Sequence, residues 1–164
     1  MDLRQLIFKL HRVNSLHRYS IHKASAEVGL YFGQPPVLEY LSEHKNCTQR
    51  ELADHMKVTP ASVAVSLKRL QRHGLIERSS DQSDMRCNRL SLTEKGLKLH
   101  TEARERFDVI DRQMFEGFSP EELLCFSELL DRISNNFEKQ LDSSERSSAL
   151  LDFCQAHRPK EEDL

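Results

Sequence analysis

The sequence predicts a mainly α fold: a helix-turn-helix with a small β-hairpin attached, set between long amphipathic helices. Three observations predict it. Two short capped helical segments meet across a tight turn within residues 48–73. Two alternating strand segments follow at once, flanking a charged loop. Apolar residues recur at three- and four-residue steps over residues 3–28 and again over 119–141.

Residues 3–28 read as one helix, with Leu3, Leu6, Ile7, Leu10, Val13, Leu16, Ser20, Ala24 and Val28 on one stripe and Gly29 as its stop. A second helix begins in GQPPVLEYLSEH. Pro35 and Pro36 are tolerated there because the first turn has no use for backbone donors. Its stripe is Val37, Leu38 and Leu41. In TQRELADHM a capping box opens a third helix: Thr48 accepts from the amide of Glu51, whose carboxylate returns to the amide of Thr48. Leu52, Ala53 and Met56 face inward, and Lys57 and Val58 make the turn. TPASVAVSLKRLQRHG is the fourth helix, with Thr59 as N-cap, Pro60 at the first helical position and Gly74 as stop.

LIER and NRLSLT are the strands, with Leu90 and Leu92 facing one way and Arg89 and Ser91 the other. Thr93 then opens a long helix to about Glu116, its stripe formed by Leu97, His100, Ala103, Phe107, Ile110 and Met114. SPEE caps the last helix at Ser119 and Pro120, and Leu123, Phe126, Leu130, Ile133, Phe137 and Leu141 form its stripe. After Asp142 the composition turns to Ser, Glu and Lys; a partly ordered tail is expected, with room for a short helix around ALLDFC. The expected divisions are an N-terminal helix at 1–34, the helix-turn-helix with its hairpin at 35–93, C-terminal helices at 94–141 and the tail at 142–164.

Composition narrows the function. With 38% hydrophobic and 30% charged residues, the chain fits a soluble, helix-rich protein. No apolar run is long enough to span a bilayer, and MDLRQLIFKL is too broken by charge for a secretory signal, so no membrane contact and a cytoplasmic location are expected. Cys47, Cys87, Cys125 and Cys154 form no CxxC or CxxH pair and read as free thiols. Only Cys87, beside Arg86 and Arg89, has neighbours that would stabilise a thiolate. No HxxxH or HExxH spacing, phosphate loop or nucleophile–base pair occurs, so neither an enzyme nor a bound metal or cofactor is expected.

The net charge of −2 hides an uneven distribution. From Asn46 to Gly96 there are nine Lys/Arg against six Asp/Glu, a balance of +3, and the rest carries fifteen against twenty, a balance of −5. A basic middle between acidic flanks suits a DNA-contacting module within a larger scaffold. On a helical projection of the fourth helix, Val63, Leu67 and Leu70 share the core side. Ala61, Val65, Lys68 and Arg72 fall opposite, with Ser62 and Arg69 on one flank. Small residues near the N-terminus let such a helix enter a major groove of about 12 Å, while Ser and Lys/Arg donate to base edges and phosphates. Arg86, near the tip of the loop, is suited to a narrow minor groove, with Asp84 two residues earlier to fix its direction.

Together these residues resemble a known family. ELADHMKVTPASVAVSLKRLQRHGLIERSSDQSDMRCNRLSLTEKG is similar to the winged helix-turn-helix core of the MarR family, the multiple-antibiotic-resistance type of bacterial transcriptional regulator. The family's wing signature, Asp-x-Arg followed by Leu-Thr-x-x-Gly, is met by Asp84, Arg86, Leu92, Thr93 and Gly96. LQRHGLIER matches the end of its recognition helix and the first wing strand, and the order of helices extends the resemblance more weakly over residues 3–141. The tail lies outside it.

The resemblance implies a non-enzymatic regulator that binds pseudo-palindromic double-stranded DNA as a homodimer, most often as a repressor, with its long flanking helices intertwined. Thr59, Ala61, Ser62, Val65, Lys68, Arg69 and Arg72 are the expected DNA-binding residues of the helix, and Asp84 and Arg86 those of the wing. It also implies a small aromatic or phenolic effector that releases DNA. A cysteine-based oxidant sensor of the family's first-helix type is not expected, because no cysteine precedes Cys47, and the histidines reproduce no zinc ligand set. The alternative is a winged-helix protein-interaction module, such as an antirepressor, that does not bind DNA. An acidic or apolar outer face would mark it, and Lys68, Arg69 and Arg72 argue against it.

Overall fold

The computed structural model describes residues 2–31, 33–80 and 88–141. Six α-helices and a three-stranded antiparallel sheet lie within them: α1 (Leu3–Glu27), α2 (Pro35–Glu43), β1 (Cys47–Thr48), α3 (Gln49–His55), α4 (Pro60–Arg72), β2 (Ile76–Ser80), β3 (Asn88–Leu92), α5 (Glu94–Met114) and α6 (Pro120–Glu138). The order of elements is the one expected for a winged helix-turn-helix between long helices.

Local chemistry sets most boundaries. Asp2, Thr48, Thr59, Thr93 and Ser119 each cap a helix N-terminus through a side-chain oxygen. α1 and α4 end alike. Gly29 and Gly74 take positive φ of 79° and 68°. The amides of Leu30 and Leu75 return to the carbonyls of Ser25 and Leu70, both at 2.9 Å. This is the Schellman closure, and the residue after each glycine is buried against the core.

The core joins α2, α3, α4 and the sheet. Leu38, Leu41, Leu52, Leu67, Leu70 and Leu90 are fully buried, and Leu30 and Ala103 extend the same cluster from outside the helix-turn-helix. α5 packs along α1 and α2, which ties the module to the N-terminal helix. His17 Nε2 lies 2.8 Å from Asp111 Oδ1, and Arg106 reaches Glu27 at 3.2 Å, so polar contacts also link α1 to α5.

Three expectations are corrected. The sheet has a third strand: Cys47 and Thr48 pair with Leu90 and Arg89, a two-residue element that carries no periodic signal of its own. Leu75, read as strand, instead precedes β2 and fills the core from the turn after α4. On α5 the packed stripe is Leu99, Ala103 and Phe107, with Leu97 and Met114 exposed. Gly96, beside Leu97, occupies the close approach to the Leu75 carbonyl.

The outer helices differ from the module. On α1, Leu3, Ile7, Leu10, Val13 and Leu16 are exposed, as are Phe8 and Tyr19 off the expected stripe. On α6 no residue is buried, and Leu130, Ile133 and Phe137 are open. Near its start Phe126 approaches Phe115, itself edge-on to Phe118 with ring centroids 5.9 Å apart.

Candidate nucleic-acid interface

The helix-turn-helix is fixed from both ends of its turn. In the box at the start of α3, the Glu51 amide donates to Thr48 Oγ1 at 3.1 Å and the Thr48 amide donates to Glu51 Oε2 at 2.6 Å. The Thr48 amide, and the Thr48 hydroxyl that donates to the same oxygen at 2.9 Å, hold the Glu51 carboxyl below the usual glutamate range, assisted by Arg89. α3 ends with Lys57 at φ 53°, an unusual conformation for a side-chain-bearing residue. Its amide and that of Val58 close back on Asp54 and Ala53 at 3.2 and 3.1 Å. The reversal sends α4 away from α3, and Gln49 Nε2 donates to the Pro60 carbonyl at 2.9 Å to fix their separation.

α4 divides as its projection predicts. Val63, Leu67 and Leu70 are buried, while Ala61, Ser62, Val65, Lys68, Arg69 and Arg72 are exposed. Val65 is 61% exposed, an apolar side chain left on the outer face of a helix whose other valine is in the core. Thr59 Oγ1 accepts from the Ser62 amide at 3.2 Å and lies 2.8 Å from the Ser62 hydroxyl, so these two residues form one capped corner. The first turn holds no acidic residue and the last holds Arg69 and Arg72, charges matched to the helix dipole. Arg69 does not point freely outward: its guanidinium carbon lies 5.2 Å from the centre of the Tyr31 ring.

The hairpin is a paired ladder from Ile76↔Leu92 to Ser80↔Asn88. Asp84 and Arg86 lie in the loop it carries, outside the described residues, as does Cys87. At the base of the wing, Arg78 Nη2 donates to Gln49 Oε1 at 3.3 Å and Arg89 donates to the Asn46 carbonyl at 3.3 Å, with Glu51 at 3.9 Å. Arg89 is therefore engaged by the protein. Ser91 Oγ also donates to Asn46 Oδ1, at 2.9 Å.

The Leu-Thr-x-x-Gly run has a structural explanation. Thr93 accepts from the Gly96 amide at 3.0 Å, donates its hydroxyl to the Gly74 carbonyl at 2.7 Å, and donates its amide to the Leu75 carbonyl at 3.1 Å. A Cβ on Gly96 would collide with that Leu75 carbonyl. These residues clamp the start of α5 to the end of α4 and so set the angle between recognition helix and wing.

Sequence reasoning missed Gln49, Arg78 and Tyr31. Their contacts span 11, 29 and 38 positions, to Pro60, Gln49 and Arg69 respectively; no local pattern encodes such distances. Among the described residues no group of His, Cys, Asp and Glu is arranged to hold a metal ion. Cys47 is buried in β1, and burial, with Glu51 nearby, pushes its thiol up to about 11, which leaves it protonated near neutral pH. Among the described residues no helix is long and apolar enough to cross a membrane.

Residues 33–88, from two residues before α2 to the first residue of β3, match the family model described as MarR family. An uncharacterized HTH-type transcriptional regulator of Bacillus subtilis, YybA, is 29% identical over 113 residues, covering 69% of this chain and 75% of its own. A MarR-family transcriptional regulator from Rhodococcus sp. RHA1 superposes with a TM-score of 0.65 at 25% identity, covering 81% of this chain and 94% of its own. A mutant of S. aureus MepR, solved bound to an oligodeoxyribonucleotide, superposes with a TM-score of 0.63 at 22% identity, covering 80% of this chain and 97% of its own.

Proposed function

We propose, from the premise that this chain belongs to the MarR family, that it is a sequence-specific double-stranded DNA-binding transcriptional regulator. One observation carries the reading. α4 buries Val63, Leu67 and Leu70 and leaves outward a face that is small at Ala61 and Ser62 and cationic at Lys68, Arg69 and Arg72. Such a face enters a major groove at its slender end and meets phosphates with its cations. Thr59 sits at the N-terminal corner of the same helix, where backbone amides favour a phosphate. Asp84 and Arg86 are assigned to the minor groove on the sequence alone.

The working unit we infer is a homodimer that represses by occupying a nearly palindromic site. The exposed apolar faces of α1 and α6 support it, because a second copy would cover both. The effector we infer is a small aromatic acid or phenol. A shallow, open cleft between α1 and α5, lined by Lys23, Glu27, Arg106, Val109 and Ile110, is the place we assign it.

Titration of labelled duplexes from the DNA upstream of the protein's own gene tests the reading. Tight binding to one segment is expected, weakened by Lys68→Ala and Arg72→Ala. Arg86→Ala is expected to cost roughly 1–3 kcal/mol of binding while fold and assembly survive. Equal affinity for that DNA and for random duplex, at every salt concentration, would overturn the assignment.

A further inference from the structure

We propose that Tyr31 is a positioning residue for DNA binding: its ring holds the Arg69 guanidinium over its face so that the cation meets phosphate already placed. The inference rests on the DNA-binding reading and deepens it, because it adds a residue from the loop between α1 and α2 to the work of the recognition helix.

Tyr31 is exposed, yet its own backbone is bonded and Leu30 before it is anchored. Leu30 is buried and its amide is bound to the Ser25 carbonyl at 2.9 Å. The Tyr31 amide donates to Gln34 Oε1 at 2.8 Å, and the Gln34 amide returns to the Tyr31 carbonyl at 3.0 Å. Gln34 is itself only 2% exposed, a buried amide side chain whose oxygen is satisfied by this bond. The ring is thus carried by a residue whose amide and carbonyl are both bonded, and Arg69 reaches it from α4 with 5.2 Å between guanidinium carbon and ring centre.

A guanidinium lying on an aromatic face keeps its edge N–H groups directed outward in one plane. Those donors are the ones that phosphate oxygens accept. A free arginine on a helix surface loses rotamer freedom when it binds; one already held over a ring has lost much of it beforehand. Lys at this position would keep the charge and lose the planar fork. The same contact joins the recognition helix to the connection leaving α1, so displacement of α1 would move the support on which Arg69 rests.

A double-mutant cycle on the full chain tests the pairing, with the affinity for the upstream duplex as readout and Lys68→Ala as control. Tyr31→Ala is expected to weaken binding about five- to tenfold, since each subunit of the dimer must then order one free arginine side chain on binding. It is expected to do less than twofold when Arg69→Ala is already present. Tyr31→Phe, which keeps the ring, restores near wild-type affinity, and Arg69→Lys does not. Arg69→Ala also makes the salt dependence shallower by about one phosphate per subunit. Equal weakening by Tyr31→Ala in both Arg69 backgrounds, or none in either, overturns the inference. If Lys68→Ala weakens binding in that series, the DNA-binding reading stands without it. If the unaltered protein does not prefer any duplex, both fall together.

Discussion

The winged module and the outer helices are both built on leucine-rich apolar stripes, but among the described residues only the module's stripes find their partners. Leu38, Leu52, Leu67, Leu70 and Leu90 converge from four elements and have no exposed surface. Leu3, Ile7 and Leu16 on α1, and Ile133 and Phe137 on α6, have the same spacing and stay between 43% and 73% exposed. Periodicity therefore identifies a face that needs covering; topology decides what covers it. For the module the cover is a crossing helix or β3. For α1 and α6 we propose a second copy.

Paired substitutions break this comparison if it is wrong. Leu67→Ala empties a fully buried site and is expected to lower unfolding free energy by about 2–5 kcal/mol, independent of protein concentration. The double substitution Ile7→Glu and Phe137→Glu removes two side chains exposed in the single chain, so within a monomer it is expected to change stability by no more than about 0.5 kcal/mol per site. In the proposed dimer it places charges in an interface. Sedimentation at several concentrations is expected to show monomers, with the module still folded by circular dichroism. A stable dimer from this variant would remove α1 and α6 from assembly.

A smaller effect sharpens the boundary between the regions. Gly96→Ala pushes a methyl group into the Leu75 carbonyl where α5 leaves the wing. The strain is expected to cost about 1–3 kcal/mol in a denaturant melt, with dimerisation retained. Unchanged stability would mean that the α4–α5 junction is loose and does not set the angle of the wing.

The smallest effect is titratable. Glu51 is held below its ordinary pKa by the Thr48 amide and hydroxyl. A depressed carboxyl contributes stability above its unfolded pKa, and that contribution is lost as pH falls through the folded value. Thr48→Ala is expected to remove about 1 kcal/mol near neutral pH and to flatten the acid limb of the stability curve. Parallel acid limbs for the variant and the original would show that the Thr48 hydroxyl is not what ties Glu51 to folding.

What the sequence reveals follows the range of the interactions. The boxes at Thr48 and Ser119, the proline starts and the glycine stops act within a few residues, and each is where the pattern puts it. The inward and outward sides of α4 are equally legible, since one helix fixes them. The third strand is not, because Cys47–Thr48 is defined only by Leu90 and Arg89 across the fold. Leu97 and Leu99 are both apolar and two residues apart, so periodicity alone picks the wrong one; α2 and Gly96 fix the rotation of α5 that packs Leu99. Arg69 is readable as an outward cation, but the ring beneath it comes from a loop far away in sequence.

The central claim, two winged modules held on one two-fold axis and reading DNA together, is tested most directly by spacing. Such a dimer presents its recognition helices about one helical turn apart, roughly 10 bp between half-site centres. Affinity is measured across a salt series for the upstream site and for the same site with five base pairs inserted between its halves. Neutralisation of about six to eight phosphates per dimer predicts a slope of log K against log[salt] of roughly −5 to −7 on the intact site. On the inserted site, half a turn of rotation leaves one module engaged, so affinity falls steeply and the slope becomes shallower. Equal affinity and equal slope on the two duplexes would contradict a rigid two-fold reader.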